Sequence, residues 1–448
     1  MLRRTFLFSA AATVVSCTKV NASSLGTLAW LQGGTLWVRN LPDGAPIALA
    51  SGAAIRSPAF SPSERWIAFS DGSSLRLVSI DGKSAKNWQG ASGKWAPGRD
   101  ELVAYYEAGN KTVILAEGNG WDAPSRTIAG SIDAISPDGS YYASTTSERS
   151  GGKLFIRRFG ETGDAPPIAE TPGYFEIDGF TRDGQRLLYW RAPEISASIK
   201  ADGLELYSAG LNGQEPVKTG VFTLVHEDML APSPNAGTLA ATDGGGRENW
   251  TNKSIVLADL SSDGTSGVRR LTGPGVSAAH PSWSPDGAKL AWSQGPDADA
   301  IEKQQMLING QKTIKIIDPQ TGVPREVPVT PKMRIGASDD LVQKCVRLRR
   351  IWTKAIGEQA GFPSQLTNDA NYSDQAPLWS SDGTHILFGR IDPAGAKSLW
   401  LMRSDGTDLQ EVAGPLTFEA GSPKFGEPGW GFYGYTPWRS FFDWSRSL

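Results

Sequence analysis

The stretch PSWSPDGAKLAW, Pro281 to Trp292, contains the pattern that decides the fold. Ser284–Gly287 suits the four successive positions of a type I turn: a side-chain acceptor, a proline with its φ already fixed, an aspartate and a glycine. Trp283 precedes the turn, and the apolar Leu290 and Trp292 follow it. We therefore interpret the stretch as two antiparallel strands joined by a turn, with Trp283 packed between neighbouring sheets.

The same phrase recurs along the chain in six further, looser copies. The residue before each turn serves as an anchor for aligning the copies, and the anchors are Phe60, Trp95, Ile135, Phe180, Pro232, Trp283 and Trp379. Their spacing is 35–52 residues as far as Trp283 and then 96 residues. A period in this range is typical of propellers and solenoids.

Each repeat contains four short apolar segments separated by turn residues, including frequent Asp-Gly pairs. This pattern predicts an all-β fold, a β-propeller of seven or eight four-stranded blades. Gly26–Ala50 matches only the later part of a repeat, and the apolar segment Gly434–Trp444 can supply the missing first strand. We therefore expect N- and C-terminal strands to share one blade, which gives eight blades by repeat count.

The long interval between Trp283 and Trp379 predicts an insertion at about residues 297–350. Asp297–Leu307 and Asp339–Leu348 each begin with acidic residues and are typical of short helices. Each is followed by a predicted strand. The simplest interpretation is one blade enlarged by a helical excursion, and the alternative is a degenerate extra blade.

The phrase at Pro281–Gly287 and the RRLT sequence at Arg269–Thr272 resemble the TolB-like, WD40-like bacterial propeller repeat. The resemblance extends from about Gly26 to Trp444 and predicts fold far more specifically than function. TolB itself has an α/β domain before its propeller, whereas these repeats follow the leader directly. Propellers of the prolyl-oligopeptidase class carry a hydrolase domain, and this chain has no Gly-x-Ser-x-Gly nucleophile elbow.

Residues 1–23 have the features of an export signal. Arg3 and Arg4 precede an apolar run from Thr5 to Val15 that is too short to span a bilayer as a mature helix. VVSC resembles a lipobox that would make Cys17 the lipidated residue, and the small residues Val20–Ala22 offer a competing cleavage site. We expect a protein exported to the periplasm or a membrane surface, with residues 24–448 forming one propeller domain.

Composition excludes several other classes of protein. The net charge of −3 argues against a nucleic-acid binder. The sequence has no P-loop, Cys-x-x-Cys or EF-hand motif, so we expect no cofactor. His280 and His385 are predicted to be structural strand or turn residues, and His226 lacks the second histidine of a zinc helix. Cys345 is predicted to be a buried, unpaired thiol.

One loop stands out because it does not repeat. Asp243–Lys253 interrupts a unit between two strands, and its three glycines let a backbone approach closely. Its charged, amide and aromatic side chains suit a peptide, glycan or protein, and the candidate residues are Arg247, Glu248, Asn249, Trp250, Asn252 and Lys253. The alternative is a long hairpin packed on its neighbour, with Arg247 paired to a carboxylate.

Three functions remain open from the sequence. The first is a non-enzymatic interaction module at the cell envelope, since propellers present loops on a rigid ring. The second is a hydrolase or lyase that uses carboxylates and a metal ion at the channel mouth. The third is a glycan- or peptide-binding lipoprotein with Trp250 as its platform. The membrane would be contacted only through a lipid on Cys17.

Overall fold

The repeats build a closed ring of sheets. The computed structural model describes residues 25–445 apart from 53, 149, 162–164, 196–201, 212–215, 236, 261–266, 311–312, 318–322, 329–338, 358–360 and 418–431. Within these residues the chain forms eight antiparallel sheets of four strands each and one two-stranded hairpin. The prediction of an eight-bladed β-propeller is therefore confirmed.

Blades are numbered here in chain order, and within each blade the strands run from the channel outward. The strands of blades 1 to 4 are β34 Phe442–Trp444, β1 Thr27–Gln32, β2 Thr35–Asn40 and β3 Ile47–Ser51; β4 Ile55–Phe60, β5 Trp66–Asp71, β6 Ser74–Ser79 and β7 Ala85–Gln89; β8 Ala91–Trp95, β9 Glu101–Tyr106, β10 Lys111–Ala116 and β11 Pro124–Ala129; β12 Ala134–Ile135, β13 Tyr141–Glu148, β14 Gly151–Arg158 and β15 Ala169–Thr171.

The strands of blades 5 to 8 are β16 Phe175–Phe180, β17 Arg186–Arg191, β18 Leu204–Gly210 and β19 Val217–Thr223; β20 Leu230–Pro232, β21 Thr238–Asp243, β22 Ser254–Asp259 and β23 Val268–Arg270; β24 Val276–Trp283, β25 Lys289–Pro296, β28 Arg350–Ala355 and β29 Ser364–Gln365; β30 Ser373–Trp379, β31 His385–Ile391, β32 Lys397–Arg403 and β33 Gln410–Ala413. First strands of successive blades contact one another, as β20, β24 and β30 do.

Blade 1 closes the ring with strands from both parts of the chain, as predicted. β34 pairs with β1 in the register Leu28↔Trp444 and Trp30↔Phe442. The Asp443 carboxylate accepts a 2.8 Å hydrogen bond from the backbone N–H of Phe60, which ties blade 1 to blade 2. The first and last strands are thus held by backbone pairing and by the adjacent blade.

The turn after the first strand has the same hydrogen bonds in four blades. A serine or threonine hydroxyl donates to the aspartate two residues ahead and accepts from the backbone N–H five residues ahead. These hydroxyls belong to Ser136, Thr181, Ser284 and Ser380. Gly287 adopts φ +69° and donates its N–H to the Ser284 carbonyl. Neighbouring turns touch, since the Asn235 amide donates to the Asp286 carbonyl. We call the end of the ring where they lie the turn end.

All seven predicted anchors are the last residues of first strands. Three anchor indoles make the same hydrogen bond to the preceding blade, always to the carbonyl just before that blade's anchor. Trp95 donates to Ala59 at 2.9 Å, Trp283 to Ala231 at 2.8 Å and Trp379 to Ser282 at 3.1 Å. These three anchors therefore lie between blades; Trp379 is buried there, whereas Trp95 and Trp283 remain partly exposed.

Blade 7 carries the predicted insertion between its second and third strands. It contains helix α1 (Ala298–Ile308), a hairpin of β26 (Thr313–Ile317) and β27 (Pro324–Pro328), and helix α2 (Asp340–Arg347). Asp297 and Asp339 cap the helices by accepting backbone N–H bonds. The two-stranded hairpin is not a ninth blade, and α2 buries the thiol of Cys345, as predicted.

Candidate binding site in the central channel

A cavity of about 380 Å³ opens inside the ring at the turn end, between the first strands of blades 6, 7 and 8. Its walls include three indole rings, and its rim carries charges of both signs. The wall residues used below are Trp283, Trp379 and Trp438, and the rim residues are Arg182, Glu227 and Arg439. Apolar walls with a few polar groups are typical of a ligand-binding cavity.

His280 projects into this cavity from a bulge in β24. The pairing of β24 with β25 shifts register between Ala279 and Ser282, and His280 has φ +60°. Ser57 and Ala376 occupy the same position, three residues before their anchors, and also have positive φ. A bulge re-aims a side chain, and only in blade 7 among these three does the bulge present an imidazole.

Hydrogen bonding favours one tautomer of His280. Its Nδ1 lies 2.9 Å from the Ser293 hydroxyl, which also lies 3.1 Å from the Ala279 carbonyl. With the hydroxyl proton directed to that carbonyl, we assign the imidazole proton to Nδ1, which leaves a lone pair on Nε2. Burial first, and then the positive charge of Arg349, lowers the pKa of His280 to about 3. The ring is therefore neutral at pH 7.

Asp228 faces His280 from the loop that enters blade 6. Its Oδ1 accepts a 3.1 Å hydrogen bond from the Tyr435 hydroxyl, and its Oδ2 lies 3.6 Å from His280 Nε2. Both Oδ2 and Nε2 are buried, and neither has a hydrogen-bond partner in the described part of the chain. Burial, reinforced by the charge of Glu227, raises the pKa of Asp228 to about 7.

A stacked pair of rings adjoins this carboxylate. His226 and Tyr435 lie with centroids 3.8 Å apart and planes 7° apart. Burial lowers the pKa of His226 to about 4, so this ring is also neutral at pH 7. Further along the same chain segment, the Trp438 indole donates to the Gln375 side chain at 3.2 Å. The segment leading into β34 therefore contributes both to the cluster and to the cavity wall.

The buried carboxylate makes stability depend on pH. The folded-state pKa of Asp228, about 7, lies above its unfolded value of 3.8, so the folded chain holds the extra proton and loses stability as pH rises from 4 to 7. The Asp228→Asn variant avoids that loss. Its advantage over the wild type in free energy of unfolding should grow by about 2–3 kcal/mol between pH 5 and pH 8, measured by urea titration.

Asp286→Asn is the matched control for this measurement. The Asp286 carboxylate is exposed, and hydrogen bonds from Ser284 and the backbone of Ala288 lower its pKa. No comparable gain at pH 8 is expected for this variant. A difference between Asp228→Asn and the wild type that stayed constant from pH 5 to pH 8 would contradict the burial of an ionisable carboxylate.

The loop Asp243–Lys253 joins β21 to β22 and so lies at the end of the ring opposite the turns. Arg247 forms a two-point ion pair with Asp202, with distances of 2.5 and 2.7 Å. Its guanidinium also lies 5.6 Å from the centroid of the Tyr433 ring. Pairing of Arg247 to a carboxylate is the feature that the packed-hairpin alternative predicted.

Three of the loop's candidate residues point inward. Trp250 is 1% exposed and packs beside Tyr433, so no face of its ring is open for a glycan. Lys253 is 2% exposed and donates to the carbonyls of Gly245 and Gly246, and burial lowers the pKa of its ammonium to about 8. Asn249 is fully buried, and its carbonyl accepts from Ser277 and Arg349.

The remaining loop candidates are accessible. Asn252 is exposed, with φ +51°, and its backbone N–H donates to the Asp297 carboxylate at 2.7 Å. Glu248 is partly exposed. The loop therefore offers Arg247, Glu248 and Asn252 to a partner, while its other candidates anchor it to the blades and to the insertion.

The channel cluster was not predicted as a site. Asp228 and His280 belong to consecutive repeats, and Tyr435 lies 207 residues beyond Asp228, so no local motif connects them. His280 does lie in a strand, as predicted. When the repeats are aligned on their anchors, His280 takes the same position as Ser57 and Ala376 on strands that line the channel. This alignment is the sequence feature that could have indicated a channel site.

Metal sites and membrane-spanning helices are two further features that a chain of this length could contain. Across the described residues, no group of three or more His, Cys, Asp and Glu side chains is arranged to hold a metal ion. Likewise, no helix in the described part of the chain has the length and apolar character needed to cross a bilayer. The predicted lipidation residue Cys17 lies outside the described residues.

Comparison with known proteins identifies only structural relatives. No protein-family model matches the chain, and no curated protein matches it. Similar solved structures include TolB from Acinetobacter baumannii, at 15% identity and a TM-score of 0.33 over 61% of each chain, which is less than two thirds of that protein. Another is a putative TolB from Agrobacterium tumefaciens, at 13% identity and a TM-score of 0.34 over 87% of this chain and 89% of that one.

These TM-scores are too low to carry an argument about function. The fold rests instead on the eight sheets, the shared turn design and the anchor contacts described above. They make the architecture of this chain an eight-bladed β-propeller, and the repeat phrase at Pro281–Gly287 resembles that of TolB-like propellers.

Proposed function

We propose that this protein is an exported, non-enzymatic β-propeller that binds a peptide segment of another envelope protein in the cavity at the turn end of its channel. The observation that carries the proposal is the cavity itself. It combines the partly exposed Trp283 ring of blade 7 with rim charges of both signs, Arg182 and Glu227 among them. Buried aromatic and arginine side chains are the groups that dominate binding energy at protein interfaces.

The rigidity of the ring supports the same proposal. Trp283 presents its partly exposed ring to the cavity, and both Trp283 and the buried Trp379 are hydrogen-bonded to the preceding blade. The Trp283 ring is therefore held in place before a partner arrives, and less side-chain entropy is lost on binding. The location at the envelope, with lipidation at Cys17, belongs to the proposal and is supported by the sequence of residues 1–23.

The loop at the opposite end is less suited to be the main contact. Its aromatic ring, Trp250, is buried, and Arg247 is already paired with Asp202. A partner meeting this loop would find mainly polar groups at Glu248 and Asn252. We therefore assign partner binding to the cavity rather than to the loop.

The test is affinity capture from bacterial envelope extracts, followed by mass spectrometry. Arg182→Glu reverses an exposed rim charge, whereas Arg270→Glu makes the same change on the exposed outermost strand of blade 6. We expect a protein that is enriched by the wild type and by Arg270→Glu but reduced about tenfold with Arg182→Glu. Equal capture by all three proteins, or no specific protein at all, would contradict the proposal.

A further inference from the structure

Two hydrogen-bond acceptors without partners lie side by side in the channel cluster. Asp228 Oδ2 and His280 Nε2 are 3.6 Å apart, and their side chains are 7% and 3% exposed. Both are without partners in the described part of the chain, and both residues line the cavity. Unsatisfied buried polar atoms are unusual in folded proteins, since each costs about 1–3 kcal/mol.

The chemistry of the two atoms defines what can satisfy them. In the tautomer assigned above, the imidazole proton of His280 lies on Nδ1 beside Ser293, and Nε2 accepts. An ionised Asp228 can also only accept. A ligand that bonds to both must therefore bring at least two polar hydrogens on one atom, as an ammonium, an amide NH₂ or a water molecule does.

Charge selects among these donors. A buried carboxylate is stabilised in its ionised form by an adjacent cation. Glu227 adds a second negative charge near Asp228. Arg439 opposes the effect by contributing a positive charge. A ligand cation would neutralise the carboxylate that the fold otherwise leaves uncompensated.

The shape of the site favours a primary ammonium over a guanidinium. A guanidinium forms its strongest pairs with both oxygens of one carboxylate, and Tyr435 already occupies Asp228 Oδ1. A compact ammonium needs only Oδ2 and the adjacent Nε2. The cavity walls at Trp283, Leu378 and Trp379 suit the methylene chain of a lysine side chain.

We propose that Asp228 and His280 form a subsite for a primary ammonium group, and that it receives a lysine side chain of a bound peptide. This inference rests on the proposed function, because it names the group that the channel cavity would recognise. The bulge in β24 supports it, since it aims the His280 imidazole into the cavity.

The test uses two capped tripeptides, Ac-Gly-Lys-Gly-NH₂ and Ac-Gly-norleucine-Gly-NH₂, titrated into the full chain at pH 8 by calorimetry. We expect the lysine peptide to bind about tenfold more tightly than the neutral one, and Asp228→Asn to remove that preference. Asp286→Asn, on the exposed turn and outside the cavity lining, is the matched control and should change the affinity less than about threefold.

Several outcomes would overturn the inference: equal binding of the two peptides, an unchanged preference in Asp228→Asn, or an equal loss in Asp286→Asn. If Asp228→Asn fails to fold, the ratio of the affinities of the two peptides for the wild type decides whether the subsite prefers an ammonium. The probes contain no envelope protein. A lysine preference that persists while capture from extracts fails would reject the proposed function alone, and the reverse result would reject the subsite alone.

Discussion

Replacing Trp379 by alanine is expected to lower the free energy of unfolding by about 3–5 kcal/mol. The indole is 2% exposed, fills the space between blades 7 and 8, and donates its N–H to the Ser282 carbonyl. The substitution would leave a cavity and an unsatisfied carbonyl in the wall of the channel. Urea unfolding followed by tryptophan fluorescence measures the change.

Trp283→Ala is the matched control because it removes the same side chain and the same type of hydrogen bond from the preceding interface. Trp283 is partly exposed, so less of its apolar surface leaves water on folding. We expect a loss of about 1–3 kcal/mol. Equal effects of the two substitutions would show that burial between blades does not determine how much an anchor contributes.

Removing the carboxylate of Asp374 should be as damaging, at about 3–5 kcal/mol for Asp374→Ala. Asp374 is 0% exposed and pairs with Arg390, which is 2% exposed, at 2.6 and 3.1 Å. The guanidinium is also packed against the rings of Tyr372, Phe388 and Trp400. Without its partner the Arg390 charge would remain buried in blade 8 without an opposite charge, and thermal unfolding would report the loss.

The control for this ion pair is Glu170→Ala in blade 4. Glu170 pairs with Lys153 at 3.7 Å, and both side chains are about half exposed, at 61% and 46%. Solvent screens such a pair, so its loss should cost less than about 1 kcal/mol. An Asp374→Ala variant with the stability of Glu170→Ala would mean that the pair in blade 8 is accessible to water.

The fold was predictable because each blade repeats the same local chemistry. In the Ser284–Gly287 turn, each residue type suits the backbone conformation or the hydrogen bond of its own position. The structure shows the same hydrogen bonds in other blades. The insertion was predictable for a similar reason, since Asp297 and Asp339 are helix caps. Closure by β34 followed from the incomplete first repeat.

The site was harder to predict because its geometry is not local. His280 faces Asp228 only after two consecutive blades are placed around the channel, and the Tyr435 bond depends on a distant segment. The sequence also cannot distinguish an exposed tryptophan from a buried one within a loop. Charged and amide residues flank Trp250 in the sequence, which is typical of a recognition loop, yet in the structure its ring packs on Tyr433.

Site-specific photo-crosslinking of the captured partner tests most directly whether the turn end of the channel is the binding site. A benzophenone amino acid would replace Ser381 in the cavity lining, or Asn252 on the loop at the opposite end; Ser381 is partly exposed and Asn252 is exposed. We expect one covalent adduct of defined mass at position 381 and none at position 252. An adduct at position 252 alone would contradict the assignment of partner binding to the channel cavity.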